Sequence, residues 1–249
     1  MNSSIKNNRQ AIKPRWIDLY ETETKRKLNL PKPKQFKEMK EIIDLIPLDK
    51  DFSSLRQKSL AECIKNRRSL RSYSKNPLSF IELSYILWET SRVDYHTDNA
   101  VYRTIPTGGA TNSMETYVYL NNVTDLKKGI YHYLQEKHCL ALYKTDDSLD
   151  KEVDNAILKQ LRGAAIVVFF TAVVERSEYK YDFCAHKMIA IEAGHAGQNL
   201  SLAAEIIDSG VCAICAYDQD LVDRVLEIDG FDEFTTYCFT LGKKKLEKE

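Results

Sequence analysis

Three arginines crowd into five positions of the segment "NRRSLRSYSK", at Arg67, Arg68 and Arg71, with Ser69 and Ser72 beside them. A guanidinium is planar, stays charged at any relevant pH and bonds phosphate oxygens in a bidentate fork, to which serine hydroxyls add neutral hydrogen bonds. The segment therefore suits a compact anion such as a phosphate. It equally suits a solvated basic patch at a helix end, where cations complement the helix dipole.

Three other stretches carry chemistry-bearing residues. "PTGGA" places Pro106, Thr107, Gly108 and Gly109 in a turn whose glycines let backbone approach a flat surface closely, or simply turn the chain before a strand. "ERSEYKYDF" holds Lys180 and Tyr181. A lysine becomes a base only if burial or neighbouring cations lower its pKa; otherwise Tyr179, Lys180, Tyr181 and Phe183 merely begin and pack the helix that follows. "GVCAICAYD" contains a C-x-x-C at Cys212 and Cys215 but reads as a buried strand. Residues three apart on a strand point to opposite faces, so these thiols are poorly placed to share a metal. With five scattered histidines and no paired ligand spacing, no metal site is expected. There is no G-x-G-x-x-G, no G-x-x-x-x-G-K-[ST] and no G-x-S-x-G, which argues against a Rossmann site, a P-loop and an α/β-hydrolase nucleophile.

These stretches need elements to hold them. Residues 1–54, lysine-rich and broken by Pro14, Pro31, Pro33 and Pro47, read as an extended N-terminal arm with short helical pieces. A helix at 60–65 delivers the arginines. Ser79 and Glu82 form a capping box with Leu78 and Leu83 as its hydrophobic staple, which predicts a helix over 80–90. Strands are predicted at 115–120, in an antiparallel hairpin at "GIYHYL" and "HCLALY", and at 164–174, whose unbroken apolar run suits a central strand covered on both faces. A long helix is predicted over 182–207, then strands at "VCAICAY" and "TTYCFTLG" with a helix at 219–226 between them. Helices and strands mix without a regular βαβ period, which gives an α+β class.

The 249 residues carry equal numbers of basic and acidic side chains, so no overall field draws the chain to nucleic acid or an anionic membrane. The polar N-terminus has no signal-peptide apolar run, no segment is long and apolar enough to span a bilayer, and a cytoplasmic location is expected. The six cysteines are then read as free thiols.

In order and spacing, "RRSLRSY", "PTGGA", "ERSEYKYDF" before "EAGHAGQNL", and "GVCAICAYD" resemble the FMN-dependent nitroreductase superfamily, most closely its SagB-type, azoline dehydrogenase-like branch, over about residues 60–243. The resemblance implies a nitroreductase-like fold with a mixed central sheet and helices on both faces, formed by residues 55–249, and an intertwined homodimer with FMN sites at its interface. Arg67, Arg68, Ser69 and Arg71 then hold the phosphate, ribityl chain and pyrimidine edge of FMN. Pro106, Thr107, Gly108, Gly109 and Asn112 pack against the flavin ring from the partner subunit, although Asn112 and Ser113 stand where relatives usually have an aromatic residue and proline. A backbone N–H at Cys215 or Ala216 faces flavin N5, and Lys243 and Lys244 approach the phosphate or belong to a charged C-terminus. Lys180 and Tyr181 match the catalytic pair of the SagB-type dehydrogenases.

The implied activity is that of an FMN-dependent oxidoreductase passing hydride to and from flavin N5, with a small organic or peptide-derived substrate and NAD(P)H as a candidate reductant. Two alternatives stay open: a flavin-destroying enzyme that forms dimethylbenzimidazole, and a flavin-binding subunit of a peptide-modifying complex that docks through the arm.

Overall fold

A computed structural model describes residues 3–39, 41–97 and 100–245. In chain order the elements are α1 (Ser3–Ala11), α2 (Trp16–Leu19), β1 (Asp44–Pro47), α3 (Leu60–Asn66), α4 (Phe80–Ser91), β2 (Val93–His96), β3 (Val101–Arg103), β4 (Met114–Leu120), β5 (Gly129–Leu134), β6 (Cys139–Lys144), α5 (Leu149–Ala156), β7 (Ile166–Val173), α6 (Glu175–Tyr181), α7 (Ala185–Ile206), β8 (Ser209–Ile214), α8 (Gln219–Val225) and β9 (Glu233–Lys243). A seven-stranded sheet runs β1-β6-β5-β4-β7-β9-β8, and β2 pairs with β3 separately.

Side-chain alternation sorts the sheet residues into two cores. Val118 and Leu120 of β4 and Val168 and Phe170 of β7 meet Leu83, Ile86 and Leu87 of α4 and Ala196 and Leu200 of α7. Their neighbours Tyr117, Tyr119, Val167 and Phe169 turn the other way, onto Leu149 and Val153 of α5 and Val222 and Val225 of α8. Strand β7 lies between β4 and β9 with helices on both faces, which is why its sequence is apolar without alternation. The mixed character of the sheet is slight. Every ladder between its named strands is antiparallel, and the parallel pairs are single bridges at Ser69↔Val211 and Leu78↔Val123.

The capping box forms as its sequence predicts. Ser79 Oγ accepts from the Glu82 N–H, and the Glu82 carboxylate accepts from the Ser79 N–H at 2.9 Å. The staple residues Leu78 and Leu83 are fully buried. Loss of one such cap costs about 1 kcal/mol. We expect Ser79→Ala to lower the melting temperature by about 2–4 °C, with Ser79→Thr close to the parent in the same thermal scan; an unchanged Ser79→Ala melt would remove the cap from the account of helix α4.

Three boundaries differ from the sequence reading. The long helix predicted over 182–207 is α7, Ala185–Ile206, and a separate helix, α6, stands before it where none was predicted. Asp182 takes φ 45° and ψ −131°, a backbone reversal no helix passes through, so α6 stops at Tyr181 and α7 starts at Ala185 after a short 3-10 turn. Lys180 and Tyr181 thus end one helix instead of beginning the next. The strand read at "VCAICAY" stops at Ile214, where its pairing with β9 stops at Cys238, and Cys215, Ala216 and Tyr217 leave the sheet. Finally, the arm is tied to the rest of the chain: β1 lies inside it and extends the sheet by pairing with β6.

Candidate functional site

The residues singled out by sequence gather at two places. The first is the loop before β4. Helix α7 presents Met188, Glu192 and His195 to it, a spacing of four and three that puts all three on one helix face. A Cβ on Gly108 would lie 1.6 Å from Met188 Cε. His195 Nδ1–H donates to the Pro106 carbonyl at 3.1 Å, and Thr107 Oγ1 donates to Glu192 at 3.0 Å. Helix α6 grips the same loop from the other side. Lys180 Nζ donates to the Gly109 carbonyl at 3.0 Å, the Ser177 and Thr111 hydroxyls bond at 2.8 Å, and Arg176 Nη1 donates to the Asn112 carbonyl at 3.2 Å.

Gly109 is required twice over. It sits at φ +57°, and a Cβ there would come within 2.0 Å of Tyr181 Oη and 2.6 Å of Lys180 Nζ. The structure therefore joins Lys180, Tyr181, Thr107, Gly108, Gly109 and Asn112 into one assembly. Asn112 is fully buried, with Nδ2 donating to the Val101 and Ala110 carbonyls.

The arm lies across α6. The Arg26 N–H donates to the Tyr179 carbonyl at 2.9 Å, Tyr179 Oη donates to the Leu30 carbonyl, and Arg176 Nε donates to the Lys34 carbonyl at 2.9 Å. Trp16 meets the Tyr181 ring edge-on. Burial lowers the Lys180 pKa from its ordinary value, and the positive charges of Arg26 and Lys32 lower it further. A lysine at this place is thereby biased toward the neutral, proton-accepting form.

The second place is the outer edge of β8, where Ser69 bridges Val211 and the Leu70 N–H donates to the Val211 carbonyl at 3.0 Å. Arg67 and Arg71 pair with no carboxylate among the described residues; Arg67 is half-buried and Arg71 exposed. Arg68 is exposed and turns back on its own chain, donating to the Lys65 and Arg67 carbonyls. Strand β8 ends at Ile214, about 10 Å beyond Val211 at the usual rise of a strand, and Cys215 and Ala216, both exposed, follow it. Lys243 and Lys244 are already engaged. The Lys243 amine bonds Glu82 and the Ile207 carbonyl, and Lys244 pairs with buried Glu205 at 2.6 Å.

The two places remain separate within one chain. The loop precedes β4 and Cys215 follows β8, at the same end of the sheet but three strand spacings apart, about 14 Å.

Several buried polar groups around the loop escaped the sequence reading. Glu115 pairs with Arg176 at 2.7 Å and His132 at 3.0 Å. Burial alone would raise its pKa, but Arg176, His132 and Arg103 together hold the carboxyl well below the usual carboxylate range. Lys37 of the arm reaches Tyr117 Oη at 2.7 Å and the buried carboxylate of Glu233. Under this part of the arm lies a cavity of about 600 Å³, whose lining includes Phe36, Met39, Ile42, Leu134, Glu115 and His132. The signal for Glu192 was present in "MIAIEAGHAG", as the one carboxylate of that stretch.

Residues 64–243 match the model of the nitroreductase family. A Methanocaldococcus jannaschii protein named as a nitroreductase is 30% identical over 187 residues, covering 74% of this chain and 91% of its own. The trifolitoxin-processing protein TfxB of Rhizobium leguminosarum bv. trifolii is 26% identical over 168 residues, which are 65% of this chain and 45% of that protein. A crystal structure described as a nitroreductase from Anabaena variabilis superposes with a TM-score of 0.65 at 29% identity, over 75% of this chain and 38% of the other. With the matched segment running from the last turns of α3 through β9, this chain belongs to the nitroreductase family.

Proposed function

We infer that this chain binds FMN and works as an FMN-dependent oxidoreductase, and that Lys180 and Tyr181 direct it to a SagB-type dehydrogenation of a small organic or peptide-derived substrate. The observation that carries the FMN reading is the state of Arg67 and Arg71. Lys243 and Lys244 are spent on carboxylates, whereas among the described residues these two guanidiniums have no carboxylate partner and lie beside an edge strand whose far end is exposed. An elongated molecule with an anionic end fits that arrangement. When bound, FMN supplies a two-electron acceptor and donor at its ring, and the protein supplies binding, orientation and electrostatics.

The chain's own residues divide that work. Arg67 and Arg71 hold the phosphate and the pyrimidine edge, with Ser69 adding a neutral hydrogen bond and Arg68 contributing from the end of α3. A backbone N–H at Cys215 or Ala216 orients the reactive ring nitrogen. Pro106 to Gly109 present a close-packed backbone surface to the ring, whereas Asn112, expected from the sequence to meet the ring, is fully buried and braces the loop from within. Lys180, whose pKa is lowered by burial and by the charges of Arg26 and Lys32, accepts the proton lost by the substrate, and Tyr181 packs beside it against Gly109. Lys243 and Lys244 act at most through the pairs they already make.

The separation of loop and arginines favours a homodimer in which the loop of one copy reaches the flavin held by the other. The likeness to a trifolitoxin-processing protein favours a peptide-derived substrate. For the arm, its hydrogen bonds to α6 favour a role at the site over a free docking tail.

Absorption spectra of the purified protein test the cofactor. We expect a flavin spectrum, FMN released by heat, and elution as a dimer. Anaerobic mixing with NADH or NADPH then sorts the electron source: bleaching by either makes the nicotinamide a reductant, and no bleaching leaves the organic substrate as the donor. A colourless protein that takes up no added FMN would overturn the proposal.

A further inference from the structure

We propose that Glu192 is a positioning residue, a buried carboxylate that holds the loop from Thr107 to Met114 in a strained form and so sets where its glycine backbone meets the flavin. The inference rests on the FMN reading for its consequence, but not for its structural claim.

The loop enters the left-handed region at three of four successive positions, two of them carrying a Cβ. Gly109, Ala110 and Asn112 take φ of +57°, +55° and +51°. For residues with a Cβ this region costs roughly 1–2 kcal/mol each, so Ala110 and Asn112 need outside contacts to stay there.

Glu192 supplies them from below. It is 2% exposed. Its Oε2 accepts from Thr107 Oγ1 at 3.0 Å and Ser113 Oγ at 2.9 Å, and its Oε1 accepts from the Met114 N–H at 3.3 Å. One carboxylate thus ties the start of the loop to its end. Thr107 Oγ1 also accepts the Asn112 N–H at 3.2 Å, which carries the restraint to a strained residue.

A carboxylate taken out of water is expensive unless it is hydrogen-bonded and offset by positive charge. Both conditions hold, since Arg103 lies in the field of Glu192 and donates to the Met114 carbonyl at 2.8 Å. Met188 and His195, on the same face of α7, touch Gly108 and Pro106, so the helix controls the glycine segment itself. Lys180 holds the tip from the opposite side. Without Glu192, relaxation of Ala110 and Asn112 would move Gly108 and Gly109 and leave the arginine segment on β8 untouched.

The test uses the full chain with Glu192→Gln and Glu192→Ala. Glutamine keeps one acceptor oxygen but turns an amide toward donors, so its effect should fall between parent and alanine. Hydrogen exchange of the flavin-free protein reads the structural claim. We expect the segment from Thr107 to Met114 to exchange about ten-fold faster in Glu192→Ala, the loss of roughly one net hydrogen bond, while the β5–β6 hairpin keeps its rate. Visible circular dichroism and the reduction potential of the FMN-loaded protein read the consequence. Both should shift in Glu192→Ala and less in Glu192→Gln, with FMN affinity falling by no more than about ten-fold because the arginines are intact.

Unchanged loop exchange in a folded Glu192→Ala protein overturns the inference, as does acceleration spread evenly over the chain, which would make Glu192 a general stabiliser. Faster loop exchange with an unmoved flavin signal overturns its functional half. Failure of the parent to take up FMN overturns the FMN reading and leaves the exchange result to decide the structural claim.

Discussion

The Arg67→Ala/Arg71→Ala double variant is expected to purify without flavin and to bind added FMN more than about 100-fold more weakly than the parent. A hydrogen bond to a charged group contributes about 1.5–3 kcal/mol, so each arginine lost weakens binding by roughly 10–150-fold. Neither side chain is tied to a carboxylate among the described residues, so the melting temperature should stay within the small range of surface substitutions. Lysine replacements should recover part of the affinity, because they return the charge without the planar fork. Arg68→Ala should cost less, since that guanidinium already closes the end of α3 on the Lys65 and Arg67 carbonyls. Equilibrium titration followed by flavin fluorescence measures all four proteins. Parent-like affinity in the double variant would assign the flavin to another site.

Why the arginines were legible in sequence and their surroundings were not has a physical reason. Local signals sit in neighbouring residues: the Ser79–Glu82 box follows from contacts within one element, and the unbroken apolar run of β7 from its being covered on both faces. The Asp182 reversal is different. The short polar segment "ERSEYKY" before it shows no apolar stripe of its own, so the sequence does not predict α6; its last turn is held by Gly109 and by the arm. The same holds for β1, whose "DLIP" means little until β6 offers an edge to pair with. Glu192 illustrates the remaining class. Its partners Thr107, Ser113 and Met114 are 78 or more positions away, and a single carboxylate on a helix cannot announce which loop it will meet.

Lys180 carries the prediction that separates dehydrogenation from simple flavin binding. The amine does two things at once: it holds the Gly109 carbonyl, and in the proposed reaction it takes a proton. Arginine can replace it in the first task, being a donor of similar reach, but not in the second, because a guanidinium does not give up its proton in proteins. With a synthetic thiazoline peptide as substrate and flavin bleaching as readout, Lys180→Arg and Lys180→Met should therefore both lose about 10²–10⁴-fold in rate, while Lys180→Arg keeps the parent's flavin circular dichroism. The pH profile supplies the independent check. Burial and then the charges of Arg26 and Lys32 lower the lysine pKa, so the rate should rise with pH through that lowered value and level off above it. Removing the two cations in Arg26→Ala/Lys32→Ala takes away part of the lowering. The neutral fraction at a given pH falls, and the rising limb should move to higher pH with the plateau rate nearly kept. A Lys180→Arg enzyme with parent-like turnover, or a profile that ignores the arm cations, would leave Lys180 as a loop-holding residue and return the search for the base to the rest of the site.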